Sequence, residues 1–238
     1  MKKLTSYEKA LNYIKQNSLQ DQIRTKRKEN PGPVITISRE TGIGAAIICE
    51  KLVEIFNQHA IEYYNDWTYF DKELINKVIE EHQLPEYFKK YLEQESPAKL
   101  DSWFGEILGI TPSKLTLLNK TKKTIQHLAE FGNVIIVGRG ANIILANHPK
   151  TFHIRFIASQ NFRIENAMKL YNLSKKVATE FVIKGDQERK SYILKYFHKD
   201  INDNLLYHVT INTELIDSDE VALMIGNCIM RKFPNYFK

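Results

Sequence analysis

The sequence VITISRETGIGAA spans residues 34–46 and contains the strongest fold signal in the chain. Its first five residues, 34–38, are rich in β-branched side chains and follow a proline-glycine break, a pattern that predicts a buried strand. Gly42 and Gly44 come next, and apolar residues then recur at helical spacing through 47–58. A strand, a glycine turn and a helix in this order begin a βα unit.

Four further segments are predicted to be strands of the same sheet: WTYFD (67–71), NVIIVGRGAN (133–142, ending in a glycine turn), FHIRFIA (152–158) and HVTIN (208–212). Helical sequence separates them, including residues 159–198 and a last helix that begins after Asp217 and runs to about Met230. Short apolar strands alternating with helices are typical of a parallel sheet covered on both faces. We therefore expect an α/β fold with a five-stranded parallel sheet, in which VITIS is central and VIIVG lies beside it.

Two regions stand apart from this alternation. Residues 5–28 begin as an amphipathic helix and end in a charged run before the break, so 1–30 are predicted to be an N-terminal helical appendage laid against a main domain of residues 31–238. Residues 85–131 contain three prolines and several amphipathic segments, which indicates a helical insertion.

The composition is that of an ordinary folded chain. Hydrophobic residues make up 43% of the 238 residues, charged residues 26%, and the net charge is +6. Cys49 and Cys228 lack metal-ligand spacing and are expected to be free thiols, which agrees with a cytoplasmic location. No segment approaches the roughly 20 apolar residues that span a membrane. The basic excess suits a nucleotide phosphate or a nucleic acid, but no nucleic-acid recognition motif is visible.

The first candidate functional segment is SRETGIGAA, residues 38–46. Its two glycines let backbone N–H groups approach an anion, and the start of the helix adds a partial positive charge. The segment differs from the standard phosphate loop, G-x-x-x-x-G-K-[ST], because it has neither the lysine nor the hydroxyl residue. A tight turn that needs glycine only for its backbone geometry is the alternative, and this segment alone does not decide between them.

Two more candidates follow predicted strands, where ligands of parallel sheets bind. Arg139 lies between Gly138 and Gly140, and its guanidinium can bind a phosphate through two parallel hydrogen bonds. A local salt bridge is the alternative. Asp71 follows WTYF, where it can orient a substrate hydroxyl, a metal-bound water or a basic group. The alternative for Asp71 is an N-cap of the next helix.

Charged residues within the predicted helical region 159–198 form the last candidate: Arg163, Lys184, Asp186, Arg189 and Lys190. A phosphoryl-transfer enzyme needs cations around the transferred group, because charge spreads over its oxygens in the transition state. A mobile helical lid can supply them. A solvated, charged helix face is the alternative and the more common meaning of such residues.

Taken in order, these pieces resemble the cytidylate kinase-like family, a branch of the nucleoside monophosphate kinases within the P-loop NTPases. The resemblance is carried by residues 35–47, 67–75, 134–142, 152–165, 184–197 and 205–216. It implies a three-layer domain with a phosphate-binding first turn, a helical insertion and a short lid. It also implies transfer of the γ-phosphate of ATP to cytidine monophosphate with Mg²⁺, and therefore a nucleotide substrate.

The resemblance assigns expected roles to the candidate residues. Cofactor binding falls to Arg39, Gly42, Ile43, Gly44, Ala45, Ala46 and Lys184, and catalysis to Arg139, Asp71, Arg163 and Arg189. Among these, Arg139 would hold the acceptor phosphate, Asp71 would lie near the acceptor nucleotide, and Arg163, Lys184 and Arg189 would belong to the lid.

The sequence also departs from an active cytidylate kinase. Ala45 stands where the phosphate-loop lysine is expected, Ile47 where the metal-binding hydroxyl is expected, and Gly140 where an aspartate is expected. Arg39 or a lid arginine is the candidate substitute for the lysine. The alternative is a catalytically silent member of the fold that acts as a nucleotide sensor or an interaction module.

Overall fold

A five-stranded sheet forms the centre of the computed structural model, which describes residues 5–19, 31–61, 66–80 and 114–238. The strands are β1 (Val34–Arg39), β2 (Thr68–Phe70), β3 (Val134–Val137), β4 (Thr151–Ile157) and β5 (Val209–Asn212). All pairings are parallel and the order is β2-β3-β1-β4-β5. The predicted parallel sheet is therefore confirmed, with β1 central and β3 directly beside it.

Helices connect the strands and cover both faces of the sheet. They are α1 (Ser6–Leu19), α2 (Ala45–His59), α3 (Lys72–Glu80), α4 (Lys114–Phe131), α5 (Ala141–Ile144), α6 (Gln160–Tyr171), α7 (Lys175–Phe197) and α8 (Ser218–Lys232). Short 3₁₀ turns occupy Asn204–Leu206 and Pro234–Tyr236. Within the described ranges, no helix is long and apolar enough to cross a membrane.

Several helix ends follow from local capping chemistry. The Asp217 side chain accepts from the N–H groups of Asp219 and Glu220, which confirms the predicted start of α8. The region 159–198 is helical, as predicted, but it divides into α6 and α7. Asn172 adopts the left-handed conformation that ends α6, and Ser174 caps α7. The result is a helical hairpin with a very short turn.

The two faces of β1 belong to different layers of the core. Ile35 and Ile37 pack with α2 and α8 on one face, whereas Val34 packs with α1, α3 and α4 on the other. Successive side chains of a strand point to opposite faces, so this alternation places the strand between two helical layers. The polar side chains of β1, Thr36 and Ser38, are buried on the same face as Val34 and are hydrogen-bonded there.

Helix α1 packs directly on the second core layer. Ala10, Tyr13 and Ile14 are buried there, and the Tyr13 hydroxyl donates to the Gly132 carbonyl. The charged run within 20–30 lies outside the described residues, as do residues 85–113 of the predicted insertion. The rest of that insertion forms α4, which packs on the same layer as α1.

Candidate functional site

A large cavity opens at the carboxyl edge of the sheet. Its volume is about 890 Å³, which lies within the usual range for small-molecule sites. The turn after β1 (residues 38–46), the ends of β2 and β3, and helix α7 form its walls. The structure thus brings together the predicted turn, Asp71, Arg139 and Arg189 around one cavity.

The turn after β1 presents unpaired backbone donors to this cavity. Gly42 has φ of 90° and Gly44 has φ of 76°, a left-handed conformation that glycine adopts without strain. Gly44 caps α2 without any side-chain hydrogen bond. Among the described residues, no group accepts from the N–H of Gly42, Ile43 or Gly44. Free N–H groups at a helix N-terminus favour an anion, so the turn has the features of an anion cradle.

The first turn of α2 supplies no charge to that cradle. Ala45 is buried, lines the cavity and belongs to the core cluster of this face. Ile47 is 42% exposed and has no oxygen with which to bind a metal ion. Leu170 of α6 lies close to Gly44, where an added Cβ would be 3.0 Å from its Cδ1. Any positive charge for a phosphate must therefore come from other elements.

Arg39, the last residue of β1, has no carboxylate within ion-pair distance among the described residues, although Asp71 and Glu73 act on its charge from farther away. Its guanidinium lies across Gly138, where any side chain would collide with Nη1. Within the described ranges no residue forms a hydrogen bond or ion pair with the Arg39 side chain. Burial, together with repulsion from Arg189, lowers the pKa of Arg39 to about 10. The side chain stays protonated at neutral pH, so an anion in the cavity would be strongly attracted to it.

Arg139 directly follows Gly138 and adopts a left-handed conformation, with φ of 56°. Its Nη2 donates to Oδ1 of Asn76 at 2.8 Å, and its guanidinium lies 5.9 Å from the centre of the Tyr192 ring. Its Nε is buried and has no hydrogen-bond partner among the residues that the structure describes. A buried donor without an acceptor is costly, and a ligand oxygen at this point would satisfy it.

Arg189 brings a third guanidinium from helix α7. Its Nη1 donates to the Thr41 hydroxyl, and its nearest carboxylate oxygen, on Asp186, is 3.9 Å away. Burial lowers the pKa of Arg189, and Asp186 opposes that shift. Arginines from β1, the turn after β3 and α7 therefore line one cavity together.

Arg163 is placed differently from these three. It is 7% exposed and does not line the cavity. Its Nη1 donates to the Thr41 carbonyl at 3.1 Å and to Asp186 at 2.5 Å, while its Nε donates to the Ala158 carbonyl and lies 3.3 Å from Glu40. Arg163, which lies outside the cavity wall, thus links the turn to helices α6 and α7.

The remaining predicted residues divide between the cavity and the surface. Asp71 lines the cavity, and its Oδ1 accepts from the N–H of Leu74 at 2.9 Å, so it caps α3 at the cavity wall, and its part in substrate binding stays a prediction. Ile43 and Ala46 line the cavity with the rest of the turn. Lys184 is exposed on α7 and does not line it. At Gly140, an added Cβ would lie 2.7 Å from the Phe197 ring, so an aspartate there would clash.

Sequence reasoning missed several residues of the cavity. Tyr192 contacts Arg139, Asn76 accepts from it, and Glu188 and Tyr207 contribute to the walls. Helical spacing was an available signal for one of them, because Tyr192 follows Arg189 by three residues and shares its helix face. Tyr207 lies outside any predicted strand or helix and only within the wider segment 205–216 that carries the family resemblance, which gives it no role.

The glycine turn gives a first prediction. A Gly42→Ala variant is expected to lose about 1–3 kcal/mol of unfolding free energy, because its Cβ would collide with the Arg163 carbonyl at a φ of 90°. Gly226→Ala in α8 is the matched control, since its φ is ordinary and its nearest neighbour is an Ile55 methyl at 3.1 Å. Urea unfolding measures both variants. Equal stability of the two would show that the turn tolerates a side chain.

Comparisons with known proteins agree with this architecture. A model of the cytidylate kinase-like family matches residues 34–215. An uncharacterized protein from Eubacterium ventriosum ATCC 27560 has a similar structure, with a TM-score of 0.62 and 22% identity over 84% of this chain and 98% of that one. A shikimate kinase from Bacteroides thetaiotaomicron aligns with a TM-score of 0.46 and 13% identity, covering 84% and 98% of the two chains. No curated protein matches the sequence.

Proposed function

The chain belongs to the cytidylate kinase-like family, and on this premise we propose that it is a nucleotide-binding phosphotransferase whose arginines replace the missing phosphate-loop lysine. The reaction that we propose is transfer of the γ-phosphate of ATP to a nucleoside monophosphate, with cytidine monophosphate as the first candidate. The observation that supports it most is the cluster of three arginines opposite a turn with free N–H groups.

Each part of the cavity suits one part of this chemistry. The N–H groups of residues 42–44 suit the phosphates of the donor nucleotide, because they are uncapped and lie at the start of α2. Arg39 and Arg189 lie beside this turn and would stabilise the charge that develops on the transferred group. The unpaired Nε of Arg139 suits the acceptor phosphate, at the end of β3.

Fewer residues of the cavity are suited to hold Mg²⁺ than to hold phosphate. Among the described residues, no three His, Cys, Asp or Glu side chains form a metal-binding group. Mg²⁺ in kinases usually keeps several waters and needs only one or two carboxylates beside the phosphates. Asp71 and Glu73 line the cavity and can provide them. When bound, the ion would neutralise phosphate charge, while the arginines hold and orient the phosphates.

The rim of the cavity is apolar where α6 meets α7. Tyr171 and Phe181 are partly exposed there, with ring centres 5.4 Å apart, and Val177 lies beside them in the wall. Exposed aromatic faces suit a planar nucleobase, and a closed rim would exclude water from the transferring phosphate. This apolar rim therefore agrees with a nucleotide better than with inorganic phosphate alone.

The decisive experiment is a panel of nucleoside monophosphates incubated with ATP and Mg²⁺ and assayed for diphosphate product. The proposal expects product with at least one of them. Calorimetry on the same nucleotides separates the second candidate, a catalytically silent nucleotide sensor, which is favoured by Ala45 and Ile47 in the cradle. Binding without turnover would support the sensor, and absence of any nucleotide binding would refute both.

Arg139 gives the second prediction. An Arg139→Ala variant is expected to lower kcat/KM for the acceptor about tenfold to a hundredfold, because a hydrogen bond to a charged group contributes about 1.5–3 kcal/mol. Arg231→Ala is the control, since Arg231 is exposed on α8 and does not line the cavity. Initial rates against acceptor concentration test it. Unchanged kinetics in Arg139→Ala would remove Arg139 from the acceptor site.

A further inference from the structure

A second, smaller cavity lies beside strands β4 and β5, and Glu40 lines both this cavity and the first one. Its volume is about 410 Å³. The walls include Arg155 of β4, Thr210 and Asn212 of β5, and the amides of Asn202 and Asn204. The wall also contains the apolar residues Ile157 and Ala158, and Arg155 is its buried cation.

Arg155 is that cation, and its charge is not balanced. It is 4% exposed, and its hydrogen bonds go to neutral oxygens: Asn202 Oδ1 at 2.8 Å, Ser38 Oγ at 3.3 Å and Tyr207 OH at 3.4 Å. Throughout the described part of the chain, no carboxylate lies within ion-pair distance of it. A buried charge with only neutral partners is expensive, so such sites are normally completed by an opposite charge.

Glu40, the acidic residue in the same wall, does not serve as that counter-ion. Its Oε2 accepts from the N–H of Ala158 at 3.0 Å and lies 3.3 Å from Nε of Arg163. The carboxylate is therefore engaged with the structural network behind the turn. Arg155 is therefore the group that makes this cavity prefer an anion.

We propose that the second cavity binds a small polar organic acid whose carboxylate pairs with Arg155. A guanidinium presents its donors in a fork that matches a carboxylate. The cavity is larger than a single inorganic ion requires, and its asparagine amides and Thr210 hydroxyl suit the hydroxyl or amino groups of such an acid. This site is independent of the proposed kinase reaction, although Ser38 and Tyr207 link Arg155 to the nucleotide cavity.

Malate is the probe, because it combines carboxylates with a hydroxyl group, and inorganic phosphate is tested beside it. Calorimetry and amide chemical shifts of the full chain are measured during titration to millimolar concentration. Arg155→Gln is expected to weaken malate binding at least tenfold. Thr210→Phe keeps the charge but fills the cavity, and it should also abolish binding. Arg231→Gln, with the same charge change on α8, should bind as the wild type does.

Each result bears on the proposal. The proposal is supported if the wild type binds malate saturably and both Arg155→Gln and Thr210→Phe lose that binding. If Arg155→Gln proves unstable, the result for Thr210→Phe alone tests the proposal. Malate binding that survives Thr210→Phe belongs to another site, such as the arginines of the nucleotide cavity, and overturns it. Absence of saturable malate binding by the wild type overturns it too. If inorganic phosphate binds as tightly as malate and Thr210→Phe abolishes the binding of both, the cavity binds simple oxyanions. That result would overturn the proposal of an organic acid.

Discussion

Replacement of Arg39 by Ala is expected to lower kcat/KM for phosphoryl transfer by roughly a hundredfold to a thousandfold while the protein stays folded. One preorganised donor aimed at developing charge contributes about that much in other enzymes, and a catalytic arginine in phosphoryl transfer can contribute more. Arg39 is the candidate for the largest share here, because the turn has no lysine and no carboxylate of the described residues lies within ion-pair distance of Arg39; Asp71 and Glu73 act on it only from farther away.

The free energy of unfolding should change little in the Arg39→Ala variant. Arg39→Ala breaks no ion pair of the described residues, and it removes a guanidinium whose pKa is lowered by burial and, to a smaller degree, by repulsion from Arg189. A large kinetic effect with a small change in unfolding free energy would therefore separate a catalytic role from a structural one. An Arg39→Lys variant tests the geometry, because it keeps the charge and loses the fork.

Restoring a positive charge to the turn is a complementary test of the role of Arg39. Ala45→Lys with Ile47→Thr, built into the Arg39→Ala background, should recover at least tenfold of the lost rate, because it returns a cation and a metal-binding hydroxyl to the cradle. Steady-state kinetics with ATP and Mg²⁺ measure all three proteins. Full activity in Arg39→Ala would show that Arg39 is dispensable and that the cradle uses other charges.

Local patterns explain why the sheet was predictable. Short apolar runs predict the ends of β1, β2, β4 and β5 to within one residue, whereas β3 ends at Val137, before the glycine turn that the predicted segment 133–142 included. Once strands and helices alternate, right-handed crossovers leave few topologies, so the central position of β1 beside β3 followed. The division of residues 159–198 was less visible, because it depends on the left-handed conformation of a single residue, Asn172.

The site was only partly predictable, because burial and pairing are not local properties. The glycine turn, Asp71, Arg139 and Arg189 follow strands or share a helix with other charges, and the structure gathers them around the cavity. Nothing in the sequence distinguished Arg163 from Arg189, although the first is buried in ion pairs and the second faces the cavity.

Arg155 is a clearer example of a residue whose role the sequence alone does not predict. It lies within a segment that was interpreted only as an apolar strand, FHIRFIA, and the strand prediction was correct. Its significance depends on the residues that surround it, which come from β1 and from the segment before β5. A single charged residue in an apolar strand is itself a signal, because such a side chain must be buried with partners or must line a cavity.

Arg163 gives the last prediction, and its outcome separates two roles. An Arg163→Met variant is expected to lose about 3–5 kcal/mol of unfolding free energy, because it keeps the side-chain volume but leaves Asp186 and Glu40 without their buried cation. Asp186→Asn in the same background should return part of that loss, since it removes one of the stranded charges. Urea unfolding of the single and double variants measures the coupling.

The position of Arg163 makes the kinetic readout of these variants informative. Asp186 accepts from the Thr41 N–H at 2.7 Å while Arg163 donates to the Thr41 carbonyl, so the pair holds both backbone polar groups of one residue in the turn. We propose Arg163 as a positioning residue, whose loss should lower stability and loosen the cradle together. Full stability with a selective loss of phosphoryl transfer would instead give Arg163 the catalytic lid role that the family resemblance implies.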